Sequence, residues 1–271
     1  MTDIHPLDDA LVLTILDDDR VAARTTAPYA NMVGPFGGTI SALFLKAVIS
    51  DPRTAGNPVA LTVNFCGAIS DGSFEIGKKL QRAGKYLQHW SLELLQNDGV
   101  RATASIVVGH HDDVFSHQIA SPPEVPGAEE VPALPGGLPL AWIARYKMHF
   151  VEGGPNFTGK EFSEPQSGRS VLWLSDEPAR SLDYCALAAM ADSFFLRNLQ
   201  VRGTFPPMGT VTLTTYFHAT LDEVTAQGTA PLLGTADCKR LHANFSDQQV
   251  ELWGKDGVLL ATSVQLAWYK F

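Results

Sequence analysis

The chain has 271 residues, 45% hydrophobic and 18% charged, which is enough apolar content for two folded units of about 100–150 residues. Its formal net charge of −9 and the absence of a clustered basic face argue against a nucleic-acid-binding protein. The three cysteines are far apart and include no Cys-x-x-Cys, which argues against a disulfide framework and against a zinc site.

The first residues show no basic stretch followed by an apolar one, the pattern of a secretion signal. No apolar run approaches the ~18 residues that a membrane span needs. We therefore expect a soluble cytoplasmic protein that contacts neither membrane nor nucleic acid.

The first predicted elements follow one another between residues 38 and 109. They are a helix at Gly38–Ile49, strands at Val59–Cys66 and Phe74–Arg82, and a hairpin about Asp98-Gly99. One helix followed by several antiparallel strands is an α+β pattern, unlike the alternating order of a Rossmann fold. A helix this apolar is best buried by a sheet wrapped around it.

A segment rich in Pro, Gly and Glu follows, and it predicts a linker at residues 121–139. We place an N-terminal unit at residues 1–120 and a C-terminal unit at 140–271. The second unit repeats the order of the first. Its predicted elements are a helix at Ser181–Leu199, strands at Thr210–His218 and Leu232–Arg240, and a hairpin about Asp256-Gly257.

The two units also match in sequence, which predicts an internal duplication. Residues of 93–105 recur in 251–263 at a constant offset of 158, including the Asp-Gly-Val of both hairpins. Leu61-Thr62 and Phe65 match Leu213-Thr214 and Phe217 at an offset of 152. A six-residue insertion in one loop explains the change of offset.

Asp192 lies within the second predicted helix, on a stripe of apolar and small side chains. A carboxylate there costs free energy unless it is paired or hydrogen-bonded. Two interpretations stay open from spacing alone: a buried structural acid satisfied by a backbone group or an arginine, and a general base whose pKa is raised by burial.

Two further polar residues distinguish the second unit. Thr210 begins the strand after the helix, where a threonine is ordinary on its own. Gln265 lies in the last strand, and at the offset of 158 its counterpart in the first unit is Val107. The first helix contains no acid at all. A purely structural role predicts similar residues in both units, so this asymmetry favours one functional site, in the second.

The first helix opens with Gly37-Gly38-Thr39, where free backbone N–H groups at Gly38 and Thr39 are candidates for holding an oxyanion. A Gly-Gly helix start is common, so the signal is weak by itself. The chain has neither a Walker A motif nor Gly-x-Gly-x-x-Gly.

Together these residues resemble the acyl-CoA thioesterase II family, the double-hotdog thioesterases. Residues 191–196, around Asp192, are similar to that family's aspartate segment, Thr210 and Gln265 take the places of its threonine and glutamine, and Phe36-Gly37-Gly38 is similar to its first helix start. The resemblance covers about residues 25–270. It implies an α+β double hotdog in which Asp192, Thr210 and Gln265 orient a water.

The resemblance also implies hydrolysis of acyl-CoA to fatty acid and CoA, with CoA as part of the substrate and no metal or other cofactor. Two alternatives stay open. One is a non-catalytic acyl-CoA-binding hotdog protein; the other is a hotdog hydratase, which usually needs an Asp–His pair that the spacing around Asp192 lacks. Exposed sheet edges predict a homodimer or a higher homo-oligomer.

Overall fold

A computed structural model describes residues 4–112 and 114–270, so the first three residues of the predicted N-terminal unit lie outside the described residues. Within this range the chain forms one antiparallel sheet of thirteen strands. They are β1 Thr14–Asp17, β2 Arg20–Arg24, β3 Asn57–Phe65, β4 Ser73–Ala83, β5 Leu87–Gln96, β6 Gly99–Gly109, β7 Tyr146–Glu152, β8 Ser170–Asp176, β9 Met208–Phe217, β10 Leu232–Asp237, β11 Leu241–His242, β12 Phe245–Trp253 and β13 Leu259–Tyr269.

Five α-helices accompany the sheet in the described part of the chain. They are α1 Pro6–Ala10, α2 Gly37–Ile49, α3 Tyr184–Met190, α4 Arg197–Arg202 and α5 Leu221–Gln227. None of them is long and apolar enough to cross a bilayer.

The order of the strands repeats about the middle of the sheet. Hydrogen-bonded neighbours run β1-β2-β4-β5-β6-β3-β9-β13-β12-β10-β8-β7, and β11 pairs with β12. Counted outward from the centre, β3-β6-β5-β4-β2-β1 is the same arrangement as β9-β13-β12-β10-β8-β7. This confirms the predicted duplication and the α+β double hotdog. The two outer strands of each half, β1-β2 and β7-β8, are additional to the predicted elements.

The two halves meet where β3 pairs with β9. Thr62 lies opposite Thr214, and their hydroxyl oxygens are 3.0 Å apart. The flanking pairs are Leu61 with Thr215 and Val63 with Leu213. At the offset of 152, Leu61 corresponds to Leu213 and Val63 to Thr215, so each pair is the counterpart of the other. A pseudo-twofold axis therefore passes between the two threonines and relates the halves.

The predicted six-residue insertion lies in the loop between β9 and β10, which carries α5. Thr220 begins that helix with a capping box, in which its hydroxyl accepts from the Glu223 N–H and Glu223 accepts from the Thr220 N–H. Beyond the loop, Glu75 pairs with Leu95 and Leu233 pairs with Trp253, so the offset is 158 there.

The predicted match of Val107 with Gln265 is wrong by one residue. The first hairpin turns through Asn97-Asp98, but the second turns through residues 255–257, so its loop is one residue longer. The strands after the turns are therefore offset by 159. Gln265 faces Leu213 on β9, and the equivalent neighbour of Leu61 on β3 is Ile106. The first half still carries an apolar residue at this position, but the residue is Ile106.

The core is built on α2 and α3, which run antiparallel. The start of α2 approaches the end of α3 closely, because a Cβ on Gly38 would lie 2.5 Å from the carbonyl oxygen of Ala189. At the other end, Lys46 of α2 lies near Cys185 at the start of α3. All seven residues of α3 are buried. Burying one large apolar side chain stabilises a fold by about 1.5–3 kcal/mol. Apart from the sheet, this helix pair therefore supplies most of the stabilisation that comes from apolar burial.

The predicted helix Ser181–Leu199 is wrong in extent, since α3 ends at Met190 and α4 begins at Arg197. At the end of α3 the N–H groups of Asp192 and Ser193 bond three residues back, which tightens the last turn. The Ser193 hydroxyl also bonds to Met190 O at 2.7 Å, and Leu196 is extended, with ψ 136°. Asp192 therefore lies in the turn after α3 and not within a helix.

The predicted linker, residues 121–139, contains no strand and one short 3-10 turn at Ala128–Glu130. Leu134 and Leu138 are partly buried against the core. The segment thus lies on the body of the protein, and the boundaries of the two units at 120 and 140 stay a prediction.

Candidate active site

Asp192 faces the start of α2 and is only 8% exposed. A Cβ on Gly37 would lie 2.7 Å from its Oδ2 atom, so only a glycine there lets the carboxylate approach the helix this closely. The backbone N–H of Gly38 donates to the same carboxylate. The first helix therefore presents its positive end to the acid of the second half.

The structure brings all three predicted side chains together. Nε2 of Gln265 donates to Oδ1 of Asp192 at 2.9 Å and also to the hydroxyl oxygen of Thr210. Gln265 is 2% exposed, whereas Thr210 is half-buried. Both N–H groups of this amide are in use, one on the acid and one on the hydroxyl.

A β-bulge aims Thr210 into the site. β13 pairs Leu266 with Thr212 and then Ala267 with Thr210, so Val211 has no partner on that side. Without the bulge, Thr210 would lie on the opposite face from buried Leu213. β3 has the same irregularity between Pro58 and Ala60, and Pro58 there occupies the position of Thr210.

Two buried residues that the sequence analysis missed continue the network. Nε2 of Gln248 donates to Oε1 of Gln265 at 2.8 Å, and Nε of Arg197 donates to Oε1 of Gln248 at 2.8 Å. Because arginine only donates, the oxygen of Gln248 must face it, which turns the Gln248 NH2 group to Gln265. That in turn fixes the Gln265 NH2 group on Asp192 and Thr210.

Arg197 is itself only 1% exposed and has no carboxylate partner among the described residues. Its remaining N–H groups donate to the Ser170 hydroxyl at 2.9 Å and to the carbonyl oxygens of Gly168 and Phe195. Burial lowers its pKa to about 10, which leaves it charged at neutral pH. The signal in the sequence was Gln248 alternating with Val250 and Leu252 on the inner face of a strand.

Burial raises the pKa of Asp192 to about 7, against the opposing effect of its hydrogen bonds from Gly38 and Gln265. Aromatic side chains cluster beside the start of α2: Phe36 stacks on Trp142 at 4.5 Å, and Trp142 lies 5.6 Å from Phe195. A carboxylate with a pKa near 7 suits general-base catalysis at neutral pH.

The two predicted oxyanion donors are already bonded. The Gly38 N–H donates to Asp192, and the Thr39 N–H donates to Phe36 O at 3.1 Å. Thr39 is buried beside them, and its hydroxyl has no protein partner among the described residues. An oxyanion role for Gly38 and Thr39 stays a prediction, and it requires a carbonyl oxygen to replace one of these contacts.

A second buried acid, Asp176 on β8, was not predicted. It is 4% exposed, and neither carboxylate oxygen has a hydrogen-bond partner among the described residues. Burial raises its pKa to about 7, although the charge of Arg180 opposes this. The hydroxyl groups of Tyr29 and Tyr146 near it also lack partners among those residues. Unlike Asp192, this acid accepts no hydrogen bond from an amide side chain of the described residues.

In residues 4–112 and 114–270, no group of three or more His, Cys, Asp or Glu side chains is placed to hold a metal ion.

Comparisons with known proteins identify the family of the chain. Residues 26–109 match the family model of the acyl-CoA thioesterase N-terminal domain, and residues 120–269 match that of the C-terminal domain. A comparison with curated protein sequences finds no match.

Three solved structures are similar over nearly the whole chain. A conserved protein of unknown function with a hot dog fold from Alicyclobacillus acidocaldarius is 37% identical, with a TM-score of 0.93 and 99% of each chain covered. The tesB protein of Mycobacterium avium subsp. paratuberculosis is 15% identical, with a TM-score of 0.78 and 99% of this chain and 100% of that chain covered. Acyl-CoA thioesterase II TesB2 of Mycobacterium marinum is 14% identical, with a TM-score of 0.74 and 98% of each chain covered. The two family models together span most of the chain, which therefore belongs to the acyl-CoA thioesterase family.

Proposed function

We propose that the protein hydrolyses acyl-CoA thioesters to a free fatty acid and coenzyme A, with Asp192 as the general base. The observation that supports this most directly is the Gln265 amide, which bridges Asp192 and Thr210 in a buried site. Membership of a thioesterase family supports the class of reaction.

In this proposal a water donates a hydrogen bond to the Asp192 carboxylate. Because the Thr210 oxygen already accepts from Gln265, its own proton is free to point at the water oxygen. Gln265 then has no N–H left for the water, so it holds Asp192 and Thr210 in place. Asp192 takes a proton as the water oxygen attacks the thioester carbonyl carbon.

The tetrahedral intermediate then loses its C–S bond. The electron pair leaves with the sulfur, and the proton held by Asp192 passes to the CoA thiolate, which restores the base. The N–H groups of Gly38 and Thr39 stabilise the oxyanion if the carbonyl oxygen displaces their present acceptors. CoA belongs to the substrate, and the proposed steps use no metal or other cofactor.

The rival functions make different use of the same site. A non-catalytic hotdog protein binds acyl-CoA without releasing thiol. A hydratase needs a histidine beside the acid, but the described contacts of Asp192 include no histidine. His218 instead lies 2.9 Å from the Thr262 hydroxyl. The geometry therefore favours hydrolysis over hydration.

The test is thiol release from a panel of acyl-CoAs by the wild type, Asp192→Asn and a control, Asp71→Asn, whose side chain is exposed. We expect Asp192→Asn to lose roughly a hundredfold or more in kcat while the control keeps wild-type turnover. Binding without free CoA supports the non-catalytic alternative. A change of enoyl absorbance without thiol supports the hydratase. Full activity in Asp192→Asn removes the proposed base.

We also propose that the chain self-associates and works in the cytoplasm. The outer face of β9 and β13 exposes an apolar group that suits a homodimer or higher homo-oligomer: Val211, Tyr216, Val264, Leu266 and Trp268. The location in the cytoplasm stays a prediction.

A further inference from the structure

A pocket of about 780 Å³ lies at the opposite end of the helix pair from Asp192. We call it the rear pocket; it is formed by the end of α2 and residues 50–53 after it, the start of α3, and β1 and β2. Lys46 on its wall is eight residues from Gly38, roughly 12 Å along the helix axis. Pockets of ~300–1,000 Å³ are the usual size for small-molecule sites.

The pseudo-twofold axis relates the rear pocket, at the end of α2 and the start of α3, to the region at the end of α3 and the start of α2, where Asp192 lies. The axis exchanges α2 with α3 and β1 with β7, so the counterpart of the rear pocket is bounded by the end of α3, the start of α2 and β7. There Phe195 packs against Phe150 at 6.2 Å and Phe157 at 5.4 Å. Beside the rear pocket, β1 is exposed throughout, and Ile15 is 79% exposed. The two ends of the helix pair are therefore lined differently, by aromatic rings near Asp192 and by the exposed strand β1 at the rear pocket.

The walls of the rear pocket are largely apolar. Its lining includes Leu11, Val12, Leu13, Val21, Ala47 and Ile49. Four cations also line it, and three of them are already paired. The pairs are Arg53 and Lys78 with Asp51, and Arg180 with Asp8 and Asp183.

Lys46 is the remaining cation. It is half-buried, and its ammonium group makes no hydrogen bond or ion pair with any described residue. An unpaired ammonium at an apolar wall attracts one negative charge and leaves room for an apolar chain. Two further acids, Asp17 and Asp18, are exposed at the mouth and disfavour a polyanion such as CoA.

We propose that the rear pocket binds a long-chain carboxylate, with its head group on Lys46 and its chain along Leu13, Val21 and Ile49. This site does not depend on the proposed hydrolysis at Asp192, because it uses none of the same side chains.

The test is calorimetric titration of the full-length protein with dodecanoate and with hexadecanoate. Lys46→Met removes the charge but keeps an unbranched side chain, and Lys79→Met at an exposed site is the matched control. We expect saturable binding that weakens by about tenfold or more in Lys46→Met and is unchanged in the control. Thioester hydrolysis should be unchanged in both variants.

A second variant, Val12→Asp, adds a negative charge at a residue that is 52% exposed, so it tests the pocket without disturbing α2. It should weaken carboxylate binding as well, and free CoA should not displace the ligand. Binding that is equal in wild type, Lys46→Met and Val12→Asp places the carboxylate elsewhere and overturns the proposal. So does an absence of saturable binding, or displacement by CoA.

Discussion

Replacing the amide nitrogen of Gln248 by oxygen should rotate the Gln265 amide, which holds Asp192, the proposed base. In Gln248→Glu, one oxygen still accepts from Arg197, and the other takes the place of Nε2, 2.8 Å from Oε1 of Gln265. Two acceptors cannot bond, so the Gln265 amide rotates to donate to the new carboxylate. Its oxygen then faces Oδ1 of Asp192, where a hydrogen bond of 2.9 Å existed before.

The size of the effect follows from the bond that is lost. A hydrogen bond to a charged group contributes about 1.5–3 kcal/mol. Since 1.36 kcal/mol is a factor of ten in rate, we expect kcat/KM to fall by about 10- to 100-fold. The kinetic pKa should also rise, because the Gln265 hydrogen bond lowers the pKa of Asp192. Folding should be retained, because the new carboxylate pairs with buried Arg197.

The assay is thiol release measured as a function of pH, together with thermal unfolding. Gln249→Glu is the matched control, because it adds the same charge at the next residue, which is exposed on the other face of β12. A folded Gln248→Glu protein with the kcat/KM and pH profile of the wild type would refute a positioning role for Gln248. A purely structural role would lower the melting temperature without moving the kinetic pKa.

Two further predictions concern the buried acids. For the wild type, kcat/KM should fall with a slope of one proton as the pH drops below about 7. The reason is that Asp192, the proposed base, has a pKa raised to about 7 and is protonated below that pH. A rate that is flat to pH ~5 would contradict this. For Asp176→Asn, unfolding by urea should show a more stable protein at pH ~8. Below pH ~4 the wild-type carboxyl is protonated in both states. As the pH rises to about 7, the unfolded state ionises first and the free energy of unfolding falls, by up to about 4 kcal/mol. A difference that does not change with pH would show that the carboxyl is not the cause.

The sequence predicted the duplication because matches extend through strands on both sides of the Asp-Gly turns. It could not show that one turn is a residue longer, since both read Asp-Gly-Val. The width of a turn depends on which residues pair across it, and only the register revealed Ile106 as the counterpart of Gln265.

The site was predicted in part. The apolar neighbours of Asp192 indicated a buried acid, and the resemblance indicated Thr210 and Gln265. Strict alternation of side chains along β9 from Leu213 predicts that Thr210 points outward. No residue type near Val211 indicates the bulge that turns Thr210 inward. Arg197 and Gln248 were missed because they are 51 residues apart in sequence and come into contact only when β12 takes its place in the sheet.

The bulges at Val59 and Val211 occupy corresponding positions in the two halves. The backbone irregularity is shared by both copies, so each half has a strand that aims a side chain inward at this point, whatever that side chain is. The halves diverged by side-chain replacement on a conserved backbone, Pro58 in one and Thr210 in the other. A single chain that carries this position twice can hold a hydroxyl at one copy and a proline ring at the other without any change of fold.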